Sequence, residues 1–448
     1  MEFLNNFVLP QSAEHIELLH YMLLIALFLF VPFISIVFGG ITLSILYKYK
    51  SEKKSDNYYY RLAKDVSEIT TVNKSAGFIF GVVPLLTIIL IYSQLLHNSP
   101  VTNLNYLGLS LVSIIISLVL IYSYRYSLSF NSIFSSFDGK QNYDPEIAED
   151  VNKLSTESKR ISKKAGRFGL LFLFIGLWFF VTGLTIPAIY SSWNVESFFG
   201  GLFSWQVLSR FIYYILFAIT LSGGMILFTY FEDEKKKHVK DKAYSMFLKQ
   251  NVLRAAFIPA VLIPLFALLS LFGLPKDALS GTVFLYVIIS LGLLFLGYHF
   301  LYILSKEIKG TTAALLFFTL VFSVAAFIIS DQKAMATSTQ VHSAVLSAEF
   351  DKYLAELKGE GKVIAINAAD IYQVKCASCH KWDQKLVGPP HKEVLHKYVG
   401  KEAQLVAFIR NPVKVDPAYP PMPNPGLKPN EAEAVAKYLL ETYDRQNK

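Results

Sequence analysis

The chain has 448 residues, 53% of them hydrophobic and only 17% charged, with a net charge of +8 and a mean hydropathy of +0.40. So much apolar sequence excludes an ordinary water-soluble globular protein of this length. Two cysteines are too few for a disulfide scaffold, and lysines clustered between apolar runs point to anionic lipid headgroups rather than to nucleic acid.

Eight apolar stretches are long enough to cross a bilayer as helices, since about 20 residues span its core. They run approximately over residues 19–46, 76–96, 107–124, 168–189, 208–230, 255–274, 282–304 and 313–329, the third and eighth near the short limit. The first run is too long for the core of a cleavable signal and has no basic segment before it, so it is expected to remain as a span.

The lysines and arginines set the orientation. Lys48 to Lys64 follow the first span, Arg125 to Lys164 the third, Lys235, Lys236, Lys237, Lys240 and Lys242 the fifth, and Lys306 and Lys309 the seventh. Loops 97–106 and 191–205 have no Lys or Arg, and the remaining loop has only Lys276. The basic loops are therefore expected in the cytoplasm, with both termini outside.

Within the spans, Phe28-Leu29-Phe30-Val31-Pro32, then Arg61-Leu62-Ala63-Lys64 and a stretch with Gly77 and Gly81, are similar to the start of subunit I of cytochrome bd quinol oxidases. Leu27 stands where that family has a haem-ligating histidine, with His20 two turns further out. The family's Gly-Arg-Gln segment and buried glutamates have no counterpart, so the resemblance does not carry oxygen reduction across. Haem-copper chemistry is also excluded, since it needs some six intramembrane histidines and only His299 lies deep.

His20 and His97 share a depth at the outer ends of the first two spans, where they either sandwich a b-type haem or sit as interfacial histidines. His299 has proton handling, quinone hydrogen bonding and a simple interhelical hydrogen bond as its readings. Arg210 is expected to snorkel outward, with a haem propionate or quinone oxygen as the other reading. Pro32, Pro84, Pro187, Pro259 and Pro264 are expected to kink their helices.

Residues 331–366 read as a linker whose middle, 344–357, is a short amphipathic helix with Val345, Phe350 and Leu354 on one side. It is either a solvated spacer or a strut resting on the membrane or a partner. Beyond it, Cys376-Ala377-Ser378-Cys379-His380 uses both cysteines of the chain. Two thiols three positions apart reach the two vinyl groups of a haem, and the adjacent imidazole reaches the iron. Zinc would need further ligands, for which His391 and His396 are the candidates. Met422, in a proline-stiffened Pro420-Pro421-Met422-Pro423 loop, is the one methionine beyond residue 335 and the leading sixth ligand, with His391 and His396 as alternatives.

With Ile371-Tyr372-Gln373-Val374-Lys375, Gly388-Pro389-Pro390 and a last helical pattern over 431–443, this segment resembles a small monohaem cytochrome c of the His/Met class. The resemblance implies that the Pro389 carbonyl orients His380 through Nδ1, a role one step removed from the iron. On the last helix Ala434, Tyr438 and Leu439 are expected to face the first helix near Tyr372.

The expected fold is all-α: a polytopic membrane bundle over 1–330, the linker over 331–366, and a cytochrome c domain over 367–448. The expected protein is a subunit of a respiratory or photosynthetic electron-transfer chain in a bacterial cytoplasmic membrane, with its haem domain on the periplasmic face. One covalent haem c is implied at Cys376, Cys379, His380 and Met422, and haem b and quinone are further cofactors under consideration. Electrons would pass from quinol or a partner subunit to a soluble carrier or terminal enzyme, with Lys381, Lys385, Lys392 and Lys397 available to steer it. The alternative is a non-catalytic anchor within a larger set of membrane subunits.

Overall fold

The structure is a computed structural model that describes residues 10–99, 103–137, 145–189, 198–232, 241–307, 309–358 and 367–446. Lys235, Lys236, Lys237 and Lys240, parts of the 97–106 and 191–205 loops and linker residues 359–366 lie outside the described residues.

All regular structure among the described residues is helical, and eight helices are long and apolar enough to cross a membrane. They are α1 (Ala13–Lys54), α3 (Lys74–Leu95), α4 (Asn103–Phe137), α5 (Pro145–Ala188), α7 (Trp205–Glu232), α8 (Lys242–Phe272), α9 (Gly281–Lys306) and α10 (Gly310–Ser338). Between them lie α2 (Asn57–Thr71) and α6 (Phe198–Leu202). The eight spans agree in number with the apolar runs, but α1, α4 and α5 continue well past them. At about 1.5 Å per residue, α1 and α5 each reach about 60 Å, twice the hydrocarbon thickness.

The chain divides into two compact units, one of residues 22–91 and 101–338, the other of 1–21, 92–100 and 339–448. The first is the helical bundle. Its closest packing is between antiparallel α4 and α5, where a seven-residue repeat of glycines faces a seven-residue repeat of branched side chains. A Cβ on Gly183 would meet Leu107 at 2.7 Å, one on Gly176 would meet Ile114 at 2.8 Å, and one on Gly169 would meet Ile121 at 3.1 Å. The close approach lets Ser110 and Ser117 donate across the seam to the carbonyls of Gly176 and Gly169, both at 2.8 Å. This is the small-residue interface by which helices associate without a hydrophobic driving force.

Pro84 follows an irregular helical turn. Pro84 has no N–H for the carbonyl four residues back, and the preceding turn, Gly77–Val82, is a π-helix in which the Val83 N–H bonds to the Phe78 carbonyl. Amphipathic α2 buries Leu62, Ala63 and Val66 against the bundle, where Asp65 accepts a 2.6 Å hydrogen bond from the Tyr244 hydroxyl.

Arg210 does not snorkel. Its Nη2 lies 3.0 Å from Asp331 Oδ1, with the two side chains 3% and 10% exposed, and the Tyr214 hydroxyl donates to Asp331 Oδ2 at 3.2 Å. Helix α10 runs to Ser338 rather than ending near residue 329, which places Asp331 on the helix facing Arg210. His299 is not deep in the bundle either: it is exposed on the outer face of α9, with the Phe300 ring 6.1 Å away.

The second unit contains α11 (Gln340–Leu357), α12 (Ala368–Lys375), α13 (His391–Val394), α14 (Glu402–Arg410) and α15 (Pro429–Gln446). The linker helix α11 is not a free spacer. It packs against α14 and α15, and Asp351 on it forms an ion pair with Arg410 on α14. Its most buried side chain is Leu346, one position from the expected Val345, with Phe350 and Leu354 half-buried on the same side. On α15 the buried face is Ala432, Val435, Ala436 and Leu439 at the spacing of one helix stripe, while Tyr438 packs on Tyr372 at 5.7 Å and Ala434 is half-buried at its margin.

Candidate functional site

Helix α12 ends at the first cysteine, and the motif turns on itself: the Cys379 and His380 amides both bond to the Cys376 carbonyl, at 3.0 and 2.9 Å. The chain then loops out and returns. Its two limbs are joined by Gly388 N–H to Cys379 O at 2.9 Å, His391 N–H to Lys381 O at 2.9 Å and Lys392 N–H to Trp382 O at 3.2 Å.

These straps fix a side chain. His380 Nδ1 lies 3.0 Å from the Pro389 carbonyl, so Nδ1 carries the proton and Nε2 is left as the basic nitrogen. The ring abuts Gly388, where a Cβ would collide with imidazole Cε1, Nδ1 and Nε2, so glycine is what allows this close approach.

Beside the ring is a cleft of about 1060 Å³, counted with the solvent at its mouth. Cys376, His380, Pro389, His391 and Met422 line it, Leu395, Leu405, Phe408, Ile409 and Leu439 make an apolar wall, and Lys397, Lys414 and Asp416 add charge to the lining. The size and the few convergent polar groups suit a flat, largely apolar cofactor. Both cysteines are unpaired, Cys376 buried and Cys379 partly exposed. Burial, then the neighbouring Cys379, raise the Cys376 thiol above its ordinary range.

The structure thus brings Cys376, His380, Pro389 and Met422 to one cleft, with Cys379 in the same turn. His391 shares the cleft: it is buried, stacks on His380 at 5.1 Å between centroids, and has no partner for Nε2 among the described residues. Burial, then His380, push its imidazole down to about 4. His396 is exposed and does not line the cleft. Of the four lysines, Lys397 lines the cleft, Lys392 lies 3.8 Å from Asp383, and Lys385 stands 4.5 Å over the Tyr419 ring. The apolar wall from α14 is the part that sequence reading missed, although Leu405, Val406 and Ile409 between Gly400 and Pro412 have the pattern of a short amphipathic helix.

His97 is buried in this unit, and its backbone hydrogen-bonds the His342 ring on α11. The imidazole that the structure shows against His97 is thus His342, where the sequence reading expects His20. His20 is half-buried at the start of α1. Among the described residues, no group of three or more His, Cys, Asp or Glu side chains is placed to hold a metal ion.

Residues 365–442 match the family model of cytochrome c. The same region is similar to cytochrome c-551 of Pseudomonas aeruginosa, 37% identical over 68 residues, which are 14% of this chain and 65% of that protein. It is also similar to cytochrome c-551 of Pseudomonas denitrificans, 34% identical over 76 residues, and of Azotobacter vinelandii, 36% identical over 75 residues, each 16% of this chain and 92% of the relative. No solved structure matches the chain significantly.

Proposed function

The chain belongs, through residues 365–442, to the cytochrome c family, and on that premise we propose that it is a membrane-bound electron-transfer subunit whose c-haem works on the extracytoplasmic side. The observation that carries the reading is the cleft in which His380, fixed by the Pro389 carbonyl, and Met422 share one apolar chamber next to the Cys-x-x-Cys turn. When bound, haem supplies reversible one-electron chemistry at its iron, and Met with His as axial ligands raises its potential.

The residues of the chain do the rest. Cys376 and Cys379 would hold the group covalently, and His380 and Met422 would take the axial positions. Pro389 holds the proton of His380 on Nδ1, which keeps Nε2 available and stops the ring from turning. Leu405, Phe408 and Ile409 exclude water from the cleft. The side of the membrane is supported by two independent features. The Cys-x-x-Cys-His attachment chemistry is extracytoplasmic, and the compact unit that holds the cleft also holds the lysine-poor start of α1 and end of α3.

The proposed donors are quinol or a partner subunit, and the proposed acceptor is a soluble carrier or terminal enzyme that meets the lysines around the cleft mouth. A second reading, a membrane anchor whose one cofactor is haem c, is favoured by one observation: in the bundle unit, residues 22–91 and 101–338, no described histidine is buried. A pyridine haemochrome spectrum with a haem-to-protein ratio decides between them. One c-haem per chain is expected. A b-haem in addition would assign His20 and His97 a role and favour quinol oxidation, whereas no c-haem would overturn both readings. Met422→Ala should remove the sulfur-to-iron band in the far red, and a retained band would mean a different sixth ligand.

A further inference from the structure

On the basic side of the bundle a groove of about 910 Å³, counted with the solvent at its mouth, opens between α1 and α5. Its two halves differ in chemistry. Ile45 and Leu46, the last apolar residues of the first run, line one end. Lys48, Lys163 and Arg167 line the other, together with Ser162 and one carboxylate, Glu52. Both helices change from apolar to charged at this level: α1 after Leu46, and α5, read in reverse, at Arg167 before the apolar run from Phe168. The groove therefore straddles the boundary between acyl chains and headgroups.

Lys48 is held in place, with Lys163 and Arg167 exposed beside it. Lys48 Nζ donates to Ser162 Oγ at 2.7 Å and stands 5.9 Å from the centroid of the Tyr124 ring, so it is fixed in place while two of its three donors lack an acceptor among the described residues. None of the three cations is in an ion pair among the described residues, although the same surface forms such pairs elsewhere, as between Arg160 and Glu157. Tyr124 closes the floor because Gly166 admits it: a Cβ there would lie 2.8 Å from the tyrosine ring. A ligand that satisfies the groove carries negative charge at one end and hydrocarbon at the other.

We propose that this groove is a binding site for an anionic phospholipid, with its phosphodiester between Lys48, Lys163 and Arg167 and an acyl chain along Ile45 and Leu46. Arginine offers a fork to two phosphate oxygens, and the fixed lysine supplies a charge that pays little entropy on binding. A free phosphate would use only the upper half of the groove, which is why the lipid fits better.

The test uses the full haem-loaded chain purified in a mild detergent, with native mass spectrometry counting the lipid retained from equimolar phosphatidylglycerol and phosphatidylcholine. The wild type should retain phosphatidylglycerol preferentially. Lys48→Gln with Lys163→Gln and Arg167→Gln should weaken that preference about tenfold or more, since each cation near a headgroup contributes. Lys153→Gln with Lys159→Gln and Arg160→Gln removes the same charge from exposed positions of α5 that do not line the groove and should leave the preference intact. Arg167→Lys, which keeps the charge and loses the fork, covers the case in which the triple variant does not fold, and should weaken the preference measurably. Three results would overturn the proposal: equal retention of the two lipids, equal losses in the groove and control triples, or displacement of phosphatidylglycerol by millimolar inorganic phosphate.

Discussion

Asp331→Asn and Arg210→Met should each destabilise the bundle strongly, and the double replacement should not. The two charges are 3.0 Å apart and nearly water-free. At an effective dielectric of about 20 their attraction is about 5 kcal/mol, set against a desolvation cost of several kcal/mol for each ion. The pair is thus close to neutral against an apolar replacement, whereas either charge alone is an uncompensated ion in a low-dielectric site, at about 3–5 kcal/mol. Asp331→Asn leaves Arg210 in that state, with Nη1 already lacking a partner. Arg210→Met leaves the carboxylate with only the Tyr214 hydroxyl. Arg210→Met with Asp331→Leu removes both charges and should recover most of the loss. The assay is thermal unfolding in one fixed detergent, followed by helical circular dichroism, with the four proteins treated as a double-mutant cycle. Single variants should melt several degrees lower than the wild type, and the double variant within a degree or two. Additive losses, with the double variant the least stable of the four, would refute the reasoning, because the two residues would then act independently.

Three further outcomes follow from other parts of the molecule. Gly176→Val should cost about 1–3 kcal/mol by overpacking, because its Cβ meets Ile114 at 2.8 Å on the α4 to α5 seam; the same replacement at Gly292, where nothing lies within 4 Å, should not open that seam, and melting temperatures compare the two. Burial raises the Asp65 carboxyl above its ordinary 3.8, against the Tyr244 hydrogen bond and the Arg61 charge. The folded state therefore holds that proton to higher pH than the unfolded state, and stability falls as pH rises from 3.8 through the folded value; Asp65→Asn should flatten that slope in a pH series of unfolding curves. Asp351→Ala should loosen α11 from α14 at a cost of about 1 kcal/mol or less, since both charges are partly exposed, and faster hydrogen exchange in α11 than in α15 would report it.

The parts of the molecule legible in the sequence are those where chemistry or solvent fixes the pattern. Thioether attachment demands two cysteines and a histidine at set spacing, and bilayer thickness demands runs of about 20 apolar residues. Beyond the bilayer that signal vanishes. The charged extensions of α1, α4 and α5 look like loops to hydropathy, although they continue the same helices. Arg210 looked like a snorkelling residue because its partner lies far along the chain, in a segment whose polarity suggested a linker. The exposure of His299 is illegible for another reason. Helix α9 is apolar on every side, so nothing in its sequence distinguishes the face on the bundle from the face outside, and only packing places the imidazole on the outer one.

That outward histidine bears on what the bundle is for. An imidazole facing lipid is costly, and intramembrane ionisable groups usually face a cavity or another helix. The bundle places its charged contacts near its two ends instead, Arg210 with Asp331 at one and Lys48, Asp65 and Tyr244 at the other, and keeps hydroxyls such as Ser110, Ser290 and Ser323 between them. Its described interior is closed by glycine seams and aromatic packing such as Phe30 on Phe180 at 4.6 Å, with no buried histidine along a route through it. Among the described residues the bundle therefore offers no chain of histidines for electrons, and the exposed face of α9, His299 included, is left to lipid or to a neighbouring membrane helix. Replacing His299 with Leu distinguishes these roles. In a protein that works alone, the change should stabilise the lipid-facing helix and leave haem reduction unaltered. In a protein that docks through α9, it should weaken co-purification of the neighbouring subunit while the isolated chain keeps its full haem content.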